Sequence, residues 1–178
     1  MMERLFVAVW PSEAVIAALT ELRRKDRRGV RWVAPENWHM TLHFLGDTDV
    51  DAVAGRLDEI TFDAADLRFG PGVDAFFERV LVVPVTGLDQ VARVVASAVV
   101  DLGSAPAKKR FAGHLTVARI RRDAHLVDLI GQPFTAEQPL HEIALVRSRL
   151  APAGAAYETV ATWPARPVYA SEDFGAEP

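Results

Sequence analysis

The sequence predicts an α+β protein: two pseudo-symmetric lobes of antiparallel β-sheet, with outer helices, arranged as a bilobal unit around a central cleft. Three observations carry this. Short β-branched, apolar runs are mixed with helical stretches and many hairpin turns, an order that suits antiparallel sheets better than a doubly wound parallel one. A pattern of histidine, apolar residue, threonine, apolar residue occurs twice, at His39-Met40-Thr41-Leu42 and at His114-Leu115-Thr116-Val117, once in each half of the chain. Finally, 178 residues, half of them hydrophobic and a quarter charged, suit one domain with a sizeable core or two small lobes sharing one.

Taken in order, Leu5 to Trp10 reads as a buried strand stopped by Pro11, with Ser12 as N-cap of a helix whose apolar positions are Val15, Ile16, Leu19 and Leu22. The basic run Arg23-Arg24-Lys25 falls near the expected C-terminus of that helix, where cations suit the macrodipole, and Gly29 ends it. Val30 to Val33 reads as a short strand, and Pro35-Glu36-Asn37 as the turn into the first His-x-Thr strand, which runs to a turn after Gly46. Asp47-Thr48-Asp49 offers an N-cap for a helix through about Ile60.

Leu67 to Glu78 alternates loosely around a Gly70-Pro71-Gly72 bend and returns through Val80 to Val85 as a hairpin. Gly87 to Leu102 carries a helical stripe, and Gly103 to Lys109 reads as the loop feeding the second His-x-Thr strand. Asp123 to Ile130 reads as a short helix. Leu140 to Leu150 and Tyr157 to Trp163 read as strands joined by a Pro152-Ala153-Gly154 turn. No linker or low-complexity tract divides the chain, so residues 1–164 are expected to form a single bilobal domain and 165–178 an extended tail.

Composition removes several functional classes. With no cysteine there are no disulfides or thiolate metal sites, and the charged opening Met1-Met2-Glu3-Arg4 is unlike a secretory signal, so a cytoplasmic protein is expected. No apolar run reaches the roughly 18 residues of a membrane span. The net charge of −4 gives no global attraction to nucleic acid, so polyanion binding needs a local patch. Lys108, Lys109 and Arg110 before the second motif, with Arg119, Arg121 and Arg122 after it, offer one.

Side chains alternate along a strand, which places His39, Thr41 and His43 on one face and Met40, Leu42 and Phe44 on the other. The same count pairs His114 with Thr116. Each motif thus offers an imidazole beside a hydroxyl on a polar face. With an ordinary pKa of about 6.5, two imidazoles can divide at neutral pH into a proton donor and a proton acceptor, which is what phosphoester hydrolysis requires. A hydroxyl two residues on can donate to a phosphoryl oxygen as charge builds there. His43 is a weaker substrate-binding candidate, and Phe111 could stack on a base. Arg119 is attractive as a phosphate ligand, but strict alternation from His114 turns it away unless the strand twists or bulges. His39 and His43 share a face at a spacing two metal ligands could use, but no third ligand is evident, so no metal is expected. His125 and His141 match no paired motif.

The segments Leu5 to Pro11, Arg31 to Gly46, His114 to Arg119 and Leu145 to Leu150 together resemble the RNA 2′,3′-cyclic phosphodiesterase branch of the two-histidine phosphoesterase superfamily, the LigT-like proteins. The resemblance spans roughly residues 4 to 164. It implies a central cleft lined by both motifs and opening of a 2′,3′-cyclic phosphate on RNA to a 2′-phosphate, without metal or cofactor. It assigns His39 as the acid and His114 as the base. The expected substrate is an RNA end or a related small nucleotide, and a monomer is expected. Position 43 more often holds Arg or Lys in that family, and position 113 more often Pro. Alternatives within reach of the same residues are 2′–5′ RNA ligation, hydrolysis of another cyclic or linear phosphodiester, and a non-catalytic RNA-binding module. A nucleotidyl-lysine ligase is disfavoured, since Lys25, Lys108 and Lys109 are the only lysines and none sits in a Lys-x-Asp-Gly setting.

Overall fold

The computed structural model describes residues 2–104, 110–151 and 154–167. Among these, ten strands and three α-helices follow one another as β1 (Met2–Val9), α1 (Glu13–Thr20), β2 (Val30–Trp32), β3 (Met40–Asp49), α2 (Val50–Asp58), β4 (Asp66–Phe69), β5 (Asp74–Phe76), β6 (Val80–Thr86), α3 (Asp89–Ala98), β7 (His114–Ile120), β8 (Ala136–Pro139), β9 (Glu142–Ala151) and β10 (Gly154–Pro164). All ladders between named strands are antiparallel. The main path runs β10-β9-β1-β3-β7-β6-β4-β8, with β2 added on β7 and β5 on β6.

The two lobes are the two ends of this one sheet. They meet at β3 and β7 through the pairing Met40↔Leu115, the residues that directly follow His39 and His114. Continuing that antiparallel register sets His39 across from Thr116 and Thr41 across from His114, so the seam between the lobes coincides with the two motifs.

The helices cover one face. Val15 and Leu19 of α1, Val53 and Leu57 of α2, and Val91, Ala92 and Val95 of α3 share a buried cluster with Leu5, Val7, Met40, Leu42, Leu81, Val83, Leu115 and Val117. At about 1.5–3 kcal/mol for each fully buried large aliphatic side chain, this layer is the main source of stability. The opposite face of β1, β3 and β9 carries a smaller cluster of Phe6, Ala8, Ala144 and Val146, flanked by Trp10, Phe44 and Tyr157, which walls the cleft.

Several boundaries differ from expectation. Ser12 caps α1 by accepting from the Val15 amide at 3.3 Å, but the helix stops at Thr20, so the basic run lies beyond it. Arg24 instead sits over the Trp38 ring, 5.4 Å from its centroid, and the Lys25 carbonyl accepts from Trp32 Nε1. β3 does not turn at Gly46 but continues to Asp49, which pairs with Met2 and then caps α2. Residues 123–130 form turns rather than a helix. Asp128 there has a φ of 71°, a left-handed conformation that interrupts a helix. β8, which closes the sheet beyond β4, is too short and polar in Ala136-Glu137-Gln138-Pro139 to show in the sequence pattern. Past Pro164 the chain stays attached: the amides of Ala165 and Arg166 donate to the carbonyls of His141 and Phe62. The expected loop from Gly103 is described only to Ser104, and Lys108 and Lys109, Pro152 and Ala153 of the last turn, and the tail from 168 lie outside the described residues.

Candidate active site

The histidines are held in the same way. His39 Nδ1 donates to the Asn37 carbonyl at 2.7 Å, and His114 Nδ1 donates to the Ala112 carbonyl at 2.7 Å, each two residues upstream. A carbonyl only accepts, so each Nδ1 carries a proton and exchange of a second proton runs through Nε2. On the His39 side the support extends further, because Asn37 Nδ2 donates to the Ala155 carbonyl of β10 at 3.1 Å. On the His114 side, Gly113 presses against the Val85 carbonyl. A Cβ there would collide with it, which explains glycine at this position and leaves no space for the proline more usual in the family.

The surroundings differ. His39 lies just before β3 and is boxed by Phe6, Tyr157 and Trp10, with ring centroids 4.9, 5.1 and 6.0 Å away. His114 opens β7 and meets the edge of Phe76 at 5.2 Å. Burial lowers the His39 pKa below its ordinary value of 6.5; the Asn37 carbonyl opposes this, and the positive charges of His114 and Arg119 add to it. Sequence reasoning missed Phe6, Trp10, Tyr157 and Phe76, whose partners come from distant strands. Trp10 and Phe6 stand within the first-strand segment, yet nothing in that segment alone shows which ring they face.

His39, Thr41 and Thr116 line a cleft of about 680 Å³ together with Arg4, Arg31, Phe44, Arg119, Ser148 and Tyr157. The position of Arg119 follows from a bulge. β7 pairs with β6 as Thr116↔Val82 and then Ala118↔Leu81, leaving Val117 unpaired. The extra residue resets the alternation, so Val117 and Ala118 both join the main core and Arg119 returns to the cleft face.

β3 does the same at the equivalent place. Thr41 pairs with Ala8 and His43 with Val7, leaving Leu42 unpaired. His43 consequently shares the face of Val7, which belongs to the helix-side core, and Phe44, opposite Phe6, takes the cleft position that strict alternation gave to His43. The expected common face of His39, Thr41 and His43 is thus corrected by one bulge. Phe111 is partly buried against the main core rather than among the cleft-lining residues. Of the basic stretch, Arg119 lines the cleft, while Arg110, Arg121 and Arg122 are exposed and outside its lining. Among the described residues no three His, Asp or Glu side chains converge as a metal site, and no helix is long and apolar enough to cross a membrane.

Comparison with known proteins gives concordant matches. The family model described as LigT like Phosphoesterase matches residues 9–76. The RNA 2′,3′-cyclic phosphodiesterase of Archaeoglobus fulgidus is 31% identical over 170 residues, covering 87% of this chain and 96% of the relative. The protein of the same name from Aquifex aeolicus is 31% identical over 177 residues, covering 88% and 94%. Among solved structures, TT0787 of Thermus thermophilus superposes with a TM-score of 0.73 at 28% identity, covering 93% of this chain and all (100%) of that one. E. coli LigT complexed with 3′-AMP superposes with a TM-score of 0.79 at 22% identity, covering 93% and 99%, which is a likeness of fold.

Proposed function

The chain belongs to the LigT-like phosphoesterase family of RNA 2′,3′-cyclic phosphodiesterases, and from that premise we propose that it hydrolyses the 2′,3′-cyclic phosphate at an RNA end to a 2′-phosphomonoester. The observation that carries the reading is the matched pair of imidazoles at the seam of the sheet, each with Nδ1 donating to a carbonyl, so that proton transfer runs through Nε2.

In the reaction, His114 Nε2 takes a proton from water as the water oxygen bonds to phosphorus. The bond from phosphorus to O3′ breaks, and His39 Nε2 gives its proton to O3′. Each proton transfer is worth about 10²–10⁴-fold. Thr41 and Thr116 donate to the phosphoryl oxygens as their charge rises, and Arg119 adds a fixed positive charge beside them. Burial disfavours the protonated form of His39 in the free protein, and a cyclic phosphate anion bound against it favours the imidazolium needed to protonate the leaving oxygen. The substrate class is an RNA end or a related small nucleotide, the protein acts as a monomer in the cytoplasm, and residues 1–164 form the working domain.

Acid, base and anion-stabilising groups are all side chains, so turnover is expected to survive chelation. The test is incubation of a 2′,3′-cyclic-phosphate-ended oligonucleotide with the protein in EDTA, followed by identification of the product isomer. A 2′-phosphate formed at an undiminished rate supports the proposal. Activity lost in EDTA and restored by a divalent ion refutes the two-histidine mechanism, and a 3′-phosphate product refutes the choice of leaving oxygen.

A further inference from the structure

Among the described residues three arginines line the cleft, and a single cyclic phosphate does not account for them. Arg4 on β1, Arg31 on β2 and Arg119 on β7 face the same space, while no described Asp or Glu lines it, in a chain whose net charge is −4. Among the described residues no carboxylate lies within ion-pair distance of any of the three. Arg4 leans on Phe44, 5.2 Å from the ring centroid. Arg31 and Arg119 stand directly opposite each other in the β2–β7 ladder.

Like charges directly opposed across a sheet destabilise it. The arrangement becomes favourable when anions sit against it. A cyclic phosphodiester brings one negative charge, and Arg119, whose charge reaches His39, stands beside it. β6 holds one side of β7, so β2 takes up the other side, in line with β3, and Arg31 stands about 4.8 Å across from the β7 backbone, where its guanidinium can meet a second phosphate beside the one Arg119 faces. A guanidinium also presents a planar fork that matches two phosphate oxygens.

We propose that Arg31 binds the internucleotide phosphodiester immediately preceding the 2′,3′-cyclic end, so that the preferred substrates are oligonucleotides of two or more units rather than free nucleoside cyclic phosphates. This rests on the function proposed above and adds a specificity-determining contact to it.

The test compares two dinucleotides with the same 2′,3′-cyclic end and a 2′-deoxy upstream nucleoside, one joined by a phosphodiester and the other by an uncharged methylphosphonate. For the native protein, kcat/KM is expected to favour the charged linkage by about 10–100-fold, the value of a hydrogen bond to a charged partner. In Arg31→Gln the ratio should collapse toward one, and Arg31→Lys, which keeps the charge but loses the fork, should give an intermediate ratio. In the ligand-free protein Arg31→Gln should raise Tm by about 1–3 °C, since it relieves the opposed pair. A second arm measures binding of a non-reactive oligonucleotide against salt, where losing one phosphate contact should reduce the slope of log K on log salt by about 0.7.

Equal kcat/KM for the two linkages in the native protein, or an unchanged ratio in Arg31→Gln, overturns the assignment while leaving the proposed function standing. A fall in Tm would mark Arg31 as structural and count against it. If no cyclic substrate is turned over, the proposed function fails, and the salt arm decides Arg31 alone: an unchanged slope overturns its role and a reduced one supports it.

Discussion

Replacing either histidine by alanine should abolish most turnover, but the two variants should differ in what they cost the fold. His39→Ala removes a half-buried imidazole packed against three aromatic rings at 4.9, 5.1 and 6.0 Å. Aromatic pairs contribute about 0.5–1.5 kcal/mol each beyond simple burial, so a total near 1–3 kcal/mol is expected for a partly exposed box. That corresponds to a Tm lower by about 2–12 °C for a chain of this size. His114→Ala loses the edge contact with Phe76 at 5.2 Å and should cost about 1 kcal/mol or less. In both, Met40, Leu42, Leu115 and Val117 remain buried on the opposite face and hold the strands in place. The activity losses should be similar despite this, on the order of 10²–10⁴ in kcat for each. Acid and base act in one transition state, so the double variant should be barely slower than either single one. The assay is single-turnover opening of a cyclic-ended oligonucleotide well below the lower Tm, with melting curves run on the same samples. Near-native turnover in a folded His114→Ala protein would refute the two-histidine mechanism, and additive losses in the double variant would refute its concerted form.

Further outcomes rest on the same geometry. Threonine to valine at Thr41 or Thr116 keeps the branched shape and removes a hydrogen bond to the phosphoryl group, so kcat should fall by about 10–10³-fold with little change in Tm; an unchanged kcat would dismiss the hydroxyl. The pH profile of kcat/KM should be a bell whose two values belong to the histidine pair. The lower should lie below 6.5, because burial disfavours protonated His39, and should move upward in the kcat profile as the bound anion favours the imidazolium; a flat profile from about pH 5 to 9 would refute this. The folded-state value of His39 is depressed, so the folded protein binds fewer protons than the unfolded chain between that value and 6.5. Its stability contribution is complete above 6.5 and is lost as pH falls through the folded value, and melting curves of His39→Ala should lack that part of the dependence. Gly113→Ala drives a methyl group into the Val85 carbonyl, and a loss of about 1–3 kcal/mol together with reduced kcat is expected; native Tm and kcat would show that β7 can shift without disturbing His114.

The helices and the central strands were legible because their signals are local. Ser12 as a cap, the apolar positions of α1 and α3, and the β-branched runs of β1, β6 and β9 each state their structure within a few residues. Their ends were less legible. Nothing near Thr20 marks the end of α1, and the backbone of Asp128 breaks a segment whose composition suits a helix. The polar four-residue β8 is a strand only because β4 lies beside it. The rings around His39 show the same limit, since Phe6, Trp10 and Tyr157 meet it through pairings of β1, β9 and β10 that no single segment specifies.

The instructive failure is the alternation rule at the motifs themselves. Counting by twos puts His43 in the cleft and Arg119 out of it, and both placements reverse for one reason. Each strand inserts an unpaired residue directly after its motif threonine, Leu42 in β3 and Val117 in β7. The two bulges occupy corresponding positions in the repeat, so what lies beyond them corresponds as well. His43 matches Ala118, turned to the core side, and Phe44 matches Arg119, turned to the cleft. One lobe thus sets an aromatic ring where the other sets a guanidinium, on either side of the histidine pair. The repeat preserves geometry and varies chemistry: a histidine and a threonine precede the bulge in both lobes, whereas past it one lobe sets the Phe44 ring, with Arg4 over it at 5.2 Å, and the other sets the Arg119 guanidinium. Under the proposed function, the residues the two motifs share carry the proton transfers, and those that differ past the bulge hold the nucleotide end.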